Sequence, residues 1–179
     1  MPAALRSAFV AAFWFAARAR SKNAYLQPQK LQRLMYLAQC AFAARHGGRR
    51  LMPAVFVAEE AGPIEPNVHL ALAAGRPDID IEARIPSEAA AVLDDVWGRY
   101  GHCSTEHLTR ITCDTAAYRL ARRRGDGAEI DGDLMRLSST ARDAGTALPP
   151  ARPKVLRTHT GRAVAIAAWT PGTKPTSLG

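Results

Sequence analysis

The side chains best suited to metal binding or nucleophilic chemistry cluster at His102, Cys103, His107 and Cys113. If a helix began just before residue 104, Cys103 and His107 would lie four residues apart on one helical face. Zinc needs four ligands at about 2.0–2.3 Å, and a cysteine nucleophile needs a neighbouring base and a third, orienting group. Sequence spacing supplies neither arrangement, so we expect structural or surface roles for these residues.

Two pairs of adjacent carboxylates, Glu59-Glu60 and Asp94-Asp95, are the other candidates for catalysis. Neighbouring side chains on a helix or strand point apart, so neither pair is expected to act as an acid–base couple. The glycines form no phosphate-binding loop. The sequence therefore predicts a protein with no enzymatic activity, no cofactor and no metal.

The spacing of apolar residues predicts two long helices at the start of the chain, over residues 3–20 and 28–46. Pro28 suits the first turn of a helix, and Gly47 suits the position just after a helix end. The apolar stripe of the second helix is expected to consist of Leu31, Leu34, Met35, Ala38, Ala41 and Phe42.

A small β element is predicted after the second helix. Residues 51–58 are rich in β-branched and aromatic side chains, with Pro53 at a break or edge, so they predict one or two short strands. Gly62-Pro63 predicts a turn. Residues 65–74 are expected to form a short helix, and residues 76–84 a strand or an extended loop.

Four further helices are predicted from caps and periodicity. One covers residues 87–100 with Ser87 as its cap, and the next is capped by Ser104. Asp114 is expected to cap a helix that ends at residues 122–124. Asp131 is expected to cap the last one.

Five prolines after residue 145 predict a basic, Pro-rich tail over residues 146–179, in which residues 155–169 could form a hairpin. The predicted fold is therefore mainly α. It consists of a compact helical domain over residues 1–145, with a small β-hairpin or short strands inserted after the second helix, and the basic tail.

Composition predicts a cytoplasmic protein. A chain with 47% hydrophobic and 22% charged residues is typical of globular proteins. The apolar run at residues 8–17 is shorter than the roughly 18–20 residues that cross a bilayer, and no signal-peptide cleavage site follows it. The three cysteines have irregular spacing, which fits reduced thiols better than a disulfide framework.

The net charge of +8 is unevenly distributed. Residues 1–58 hold nine Lys or Arg and no acid, residues 59–143 hold all 16 acids with ten bases, and residues 144–179 hold five bases and no acid. A basic region beside an acidic one favours an anionic partner. Charge alone leaves nucleic acid, an acidic protein surface and phospholipid headgroups open.

Several sequence blocks follow one another in a recognisable order. After an apolar helix at residues 9–17, residues 31–39 read LQRLMYLAQ, residues 60–66 read EAGPIEP, residues 93–101 read LDDVWGRYG, and residues 104–112 read STEHLTRIT. In these blocks, over about residues 5–125, the chain resembles the Panacea domain family of SocA-like antitoxins, which includes phage-associated GepA-type proteins. An arginine, Arg33, stands where that family usually has lysine. The motif positions are Leu31, Leu34, Tyr36, Gln39, Gly62, Pro63, Leu93, Val96, Trp97, Tyr100, Ser104 and Leu108.

The resemblance implies an antitoxin that neutralises a cognate toxin, often encoded next to it, by direct protein–protein contact. Delivery of the toxin to a protease is a variant of this function. Such a protein needs a stable scaffold with a complementary exposed patch. The candidates for partner contact are Arg18, Arg20, Lys22, Arg45, Arg49, Arg50 and Glu60. The alternative is that these residues form an ordinary solvated surface.

A second hypothesis is a basic nucleic-acid-associated regulator without catalytic activity. A pI of about 10.0 and the run Arg122-Arg123-Arg124 are consistent with phosphate contacts. The sequence has no RNA-recognition signature and no clear helix-turn-helix spacing, so protein binding is the preferred expectation.

Overall fold

A computed structural model describes residues 2–75, residues 85–137 and two strands of the tail, over residues 154–157 and 163–166. The chain divides into two units, over Met1–Arg142 and Asp143–Gly179. The first unit is mainly helical and contains a small antiparallel sheet, so the predicted mainly α fold class is confirmed. The predicted strand or loop at residues 76–84 lies outside the described residues.

The first helix, α1 (Ala8–Arg20), begins later than predicted. The Ser7 hydroxyl accepts a hydrogen bond from the N–H of residue 9 at 3.2 Å and so caps the helix. The N–H groups of Ala4 and Leu5 donate to the carbonyls of residues 50 and 51 at 3.0 and 2.7 Å. Because these groups bond outside the helix, the predicted start at residue 3 is wrong. The second helix, α2 (Pro28–Arg45), ends one residue before its predicted end.

The β element is a hairpin with a third strand added. Strand β1 (Val57–Glu59) pairs antiparallel with β2 (Gly62–Ile64) on one side and with β3 (Ala128–Glu129) on the other. The strands predicted over residues 51–58 are therefore confined to the end of that segment. Gly62 and Pro63 lie in β2 and the turn lies at residues 60–61, so the predicted turn at Gly62-Pro63 is displaced by the pairing of Gly62 with Glu59.

The remaining helices lie close to their predicted positions. They are α3 (Pro66–Ala73), α4 (Ser87–Tyr100), α5 (Thr105–Cys113) and α6 (Ala116–Arg124). Residues 132–137 are also helical, and the Asp131 carboxylate accepts hydrogen bonds from the N–H groups of residues 133 and 134 at 2.9 and 3.0 Å. The predicted cap at Asp131 is thus confirmed.

For α4, α5 and α6, the N-cap residue predicted from the sequence can be compared with the one observed. Ser104 accepts a hydrogen bond from the N–H of residue 107 at 3.1 Å, which confirms the cap of α5. The cap predicted at Ser87 is wrong, because Ser87 is itself the first helical residue and follows Pro86. The cap predicted at Asp114 is also wrong. Asp114 ends α5, and Thr115 caps α6 by accepting from the N–H of residue 118.

Helix α2 is the centre of the first unit, because all of residues 31–43 are buried. It packs against α1, α4, α5 and β2. The predicted apolar stripe is buried as expected, but Gln32, Arg33 and Gln39 are buried as well. A helix covered on every side is a core helix and not an amphipathic surface helix.

The second unit contains two described strands, β4 (Lys154–Arg157) and β5 (Ala163–Ile166). They pair antiparallel, with Lys154 opposite Ile166 and Arg157 opposite Ala163. Both strands lie within the tail, where the sequence predicts a hairpin over residues 155–169, and the residues that connect them lie outside the described residues. Within the described residues, no helix combines the length and the apolar character needed to cross a bilayer.

Gly62 gives a direct test of the packing between β2 and α2. Its φ is +120°, and a Cβ at this position would lie 2.7 Å from atoms of the Arg33 guanidinium. Gly62→Ala is therefore expected to lower the free energy of unfolding by about 2–4 kcal/mol, through backbone strain and the clash together. Chemical denaturation measures this effect.

Gly75→Ala is the matched control, because Gly75 has a φ of +115° and, among the described residues, no heavy atom within 4 Å of the added Cβ. It should cost roughly 1 kcal/mol from strain alone. Equal losses for the two variants would contradict the proposed contact of Gly62 with Arg33.

Candidate functional site

Arg33 is the charged side chain at the centre of the first unit, with 1% of its surface exposed. Its Nη1 donates to the Pro63 carbonyl at 2.7 Å, its Nη2 donates to the Ala61 carbonyl, and its Nε donates to Thr109 Oγ1 at 3.3 Å. Among the described residues no carboxylate pairs with it. Burial lowers the pKa of Arg33, and its neighbours Cys113 and Tyr118 partly offset this shift.

Helix α6 holds the same hairpin from another direction. The Tyr118 hydroxyl donates to the Glu59 carbonyl at 2.5 Å, and Arg122 donates to the Ala58 carbonyl at 3.3 Å. Burial raises the pKa of Tyr118 to about 12, and a hydrogen bond with Cys113 adds to the shift. These donors, together with those of Arg33, fix the hairpin through its carbonyl groups.

The buried glutamines of α2 hold two further segments. Gln32 accepts a hydrogen bond from the Glu65 N–H at 2.8 Å, and Gln39 accepts one from the Met52 N–H at 3.1 Å. The Glu65 carboxylate, 1% exposed, caps α3 by accepting from the N–H of Val68 at 2.7 Å. Each of these polar groups is satisfied by backbone, which is a structural arrangement.

The motif positions on which the resemblance depends lie mainly inside this core. Trp97 and Tyr100 are half-buried and Ser104 is an exposed cap, whereas the other positions are buried. Those buried positions are Leu31, Leu34, Tyr36, Gln39, Gly62, Pro63, Leu93, Val96 and Leu108. The motif therefore describes mainly the scaffold.

The candidate metal ligands and nucleophiles do not converge. Cys103 Sγ lies 3.8 Å from the carbonyl of Arg99, whereas His107 Nδ1 lies 3.0 Å from a guanidinium nitrogen of Arg110. Cys113 is instead next to Tyr118. In the described part of the chain, no three His, Cys, Asp or Glu side chains are placed to hold a metal ion.

Three of the predicted partner-contact cations bind α4. Arg18 pairs with Asp94, Arg45 pairs with Asp95, and Arg49 Nη2 lies 3.0 Å from the Glu88 carboxylate. The basic first part of the chain thus partly complements the acidic part that follows it. Each such exposed pair contributes only about 0–1 kcal/mol to stability. The arginine in each pair, which was expected to face a partner, is instead neutralised by a carboxylate of α4.

The other predicted contact residues are exposed and lie in separate places. Arg20 and Lys22 lie at the end of α1, Arg50 follows α2, and Glu60 lies in the turn between β1 and β2. None of the four forms an ion pair with another described residue. Arg50 lines a cavity of about 460 Å³ that also includes Arg124, Glu129, Asp131 and Asp133, where both signs of charge meet.

A second cavity has a different character, and we call it the Tyr25 cleft. It has a volume of about 180 Å³ and lies between the α1–α2 loop and the end of α4. Its described lining combines aromatic rings, cationic side chains and small residues, and it includes no carboxylate. The lining residues are Ala19, Lys22, Ala24, Tyr25, Leu26, Lys30, Trp97, Gly98, Gly101 and His102.

The α1–α2 loop presents Tyr25 through a defined turn. Asn23 has a φ of +52°, a conformation that asparagine tolerates, and the Ala24 N–H donates to the Ala19 carbonyl at 3.0 Å. Tyr25 follows this turn with 83% of its surface exposed. Opposite it, Trp97 is half-buried, and its ring centroid is 6.3 Å from that of Phe15.

Sequence reasoning found only one residue of the Tyr25 cleft as a contact candidate, Lys22. Trp97, which the sequence identifies as a motif position, is half-buried. Lys30 donates to the Gly101 carbonyl at 2.8 Å and so connects α2 to the end of α4. The cleft forms because α2 packs on α4, and the spacing of neighbouring residues in the sequence does not predict this contact.

The run Arg122-Arg123-Arg124 is less available for phosphate than the sequence predicts. Besides the Ala58 carbonyl, Arg122 binds Asp126, and Arg124 donates to the Glu129 carbonyl. Arg123 remains exposed. The side chains that suggested a nucleic-acid contact therefore mostly stabilise the β1–β3 region.

The raised pKa of Tyr118 predicts a pH dependence. Because its folded-state value of about 12 exceeds the ordinary value of about 10, Tyr118 contributes stability below pH 10 that is lost as the pH rises toward 12. Tyr118→Phe is expected to flatten this loss, measured by denaturation on either side of pH 10. The difference in phenolate absorbance between the two proteins should appear near pH 12. A difference already complete near pH 10 would contradict the burial of this hydroxyl.

No family model matches the chain, and no curated protein or solved structure is significantly similar to it. The resemblance to SocA-like antitoxins therefore stays a prediction from the sequence blocks. The fold and the Tyr25 cleft are the structural basis for the function proposed below.

Proposed function

We propose that this chain is an antitoxin that neutralises a cognate toxin in the cytoplasm by direct contact through the Tyr25 cleft. The observation that carries the proposal is Tyr25 itself, a large aromatic side chain left 83% exposed beside the half-buried Trp97. Tyrosine and tryptophan are enriched at the energetic centres of protein interfaces. A cleft with these two rings is suited to bind a protein segment.

The cations of the cleft indicate the charge of that partner. Lys22 and Lys30 line it, and none of the lining residues that the structure describes is an acid. Such a surface favours approach of an acidic protein and disfavours a basic one. Arg18, Arg45 and Arg49, which pair with α4, act in this proposal as scaffold residues.

The buried polar contacts of α2 support the proposal because they hold the proposed contact surface in one conformation before a partner binds. A partner that docks on a preorganised surface loses less conformational entropy than one that must order its target. Arg33 and Gln32 attach β2 and the start of α3 to α2, and Lys30 attaches the end of α4. Neutralisation by contact then requires shape and charge, and no chemical step.

The test is to express the adjacent open reading frame alone, with this chain, and with its Tyr25→Ala variant. We expect the neighbour to stop growth and the wild-type chain to restore it. Tyr25→Ala should weaken the complex by about 2 kcal/mol, which is roughly 30-fold in the dissociation constant. Affinity is measured by calorimetry on the purified pair.

Leu70→Ala is the matched control, because Leu70 is 67% exposed on α3 and does not line the cleft. It should bind and neutralise like the wild type. A harmless neighbour, or one that stays toxic when both proteins are made, would refute the antitoxin proposal. Loss of the toxin only when a cellular protease is present would indicate the adaptor variant.

A further inference from the structure

Gly98 is an unusual residue for its place in the fold. It lies in the last turn of α4 and lines the Tyr25 cleft. Glycine within a helix costs roughly 0.5–1 kcal/mol relative to alanine, because it loses more backbone freedom on folding. A position that accepts this cost usually has a conformational or packing reason.

Neither reason is found within the first unit. Gly98 does not have a positive φ, and a Cβ built on it would meet no heavy atom within 4 Å among the described residues. Gly101, one turn later, is the contrast. A Cβ there would lie 2.6 Å from the Trp97 carbonyl oxygen and 2.8 Å from its indole ring, so internal packing requires glycine. No described residue therefore fills the space beside Gly98.

We propose that an acidic segment of the protein partner inserts one aromatic side chain into the space beside Gly98. This inference rests on the proposed function and adds the chemistry of the occupant. A cavity of about 150 Å³ is known to hold a benzene ring, so the cleft, at about 180 Å³, accommodates one aromatic side chain. Ala19, Ala24 and Gly98 leave this room, and Tyr25 and Trp97 provide rings for edge or offset contacts.

The carboxylates of the segment are placed by the cations of the cleft. Lys30 uses one of its three donors on the Gly101 carbonyl at 2.8 Å, which leaves two for a partner. Lys22 and His102 also line the cleft, and its described lining has no acid to compete with the segment. The combination selects a carboxylate next to an apolar ring, and it disfavours a lysine-rich or wholly polar segment.

Three peptides added to the full chain test this inference. The probe is acetyl-Asp-Glu-Phe-Glu-Asp-amide. One control has lysine in place of every acid, and the other has alanine in place of phenylalanine. We expect the probe to shift the amide resonances of Tyr25, Gly98 and His102, with each control binding at least tenfold more weakly. Equal binding of the three peptides would overturn the inference.

Substitutions at Gly98 separate a binding role from a folding role. Gly98→Ala should raise the midpoint of urea unfolding, and Gly98→Leu, which fills the opening, should weaken probe binding at least tenfold. Ala91→Leu is the matched control, because Ala91 is exposed two turns earlier on α4 and does not line the cleft. It should bind the probe like the wild type. Undiminished binding by Gly98→Leu would overturn the inference.

The two proposals fail in distinguishable ways. If the chain neutralises its toxin but binds the three peptides alike, the assigned occupant is wrong and the proposed function stands. If the chain binds the probe as described but its neighbour is harmless, the site is correct and the antitoxin function is wrong.

Discussion

The burial of one positive charge constrains most of this structure. Arg33 lies on the central helix with no carboxylate partner among the described residues, and its guanidinium instead donates to carbonyl and hydroxyl oxygens. The carbonyls of Ala61 and Pro63 meet this need only if β2 approaches α2 closely. That approach leaves no room for a side chain at Gly62. The hydrogen bonds that solvate this side chain therefore help to set the position of the hairpin.

The remaining buried polar groups extend the same pattern. Tyr118 and Arg122 donate to two carbonyls of β1. Gln32 and Gln39 accept hydrogen bonds from backbone N–H groups that lie outside helices and strands. Segments with few regular hydrogen bonds of their own are thus held by side chains of α2 and α6. The residues that make the sequence resemble an antitoxin family belong mostly to the buried core around these contacts. They define a scaffold, and one of them, Trp97, also lines the Tyr25 cleft, where the proposed contact surface lies.

The cationic side chains have two roles, pairing with acids inside the fold and lining the Tyr25 cleft, and the sequence alone does not distinguish them. The basic first part and the acidic middle part of the chain meet where Arg18, Arg45 and Arg49 pair with α4. The lysines of the Tyr25 cleft have no such acid among its described lining residues. A partner is therefore proposed to meet the second group of cations, since the first is already neutralised within the fold.

The sequence by itself determined the fold class, the bounds of α2, α3 and α4 to within about a residue, and the caps at Ser104 and Asp131, because these depend on neighbours within a few positions. It did not determine that α1 starts after Ser7, that Arg33 is buried, or that residues 22–30 and 97–102 form one cleft. Those features were decided by the tertiary structure. A polar residue on a helix looks solvent-facing until a second segment covers it, and a cleft exists only once two distant helices pack together.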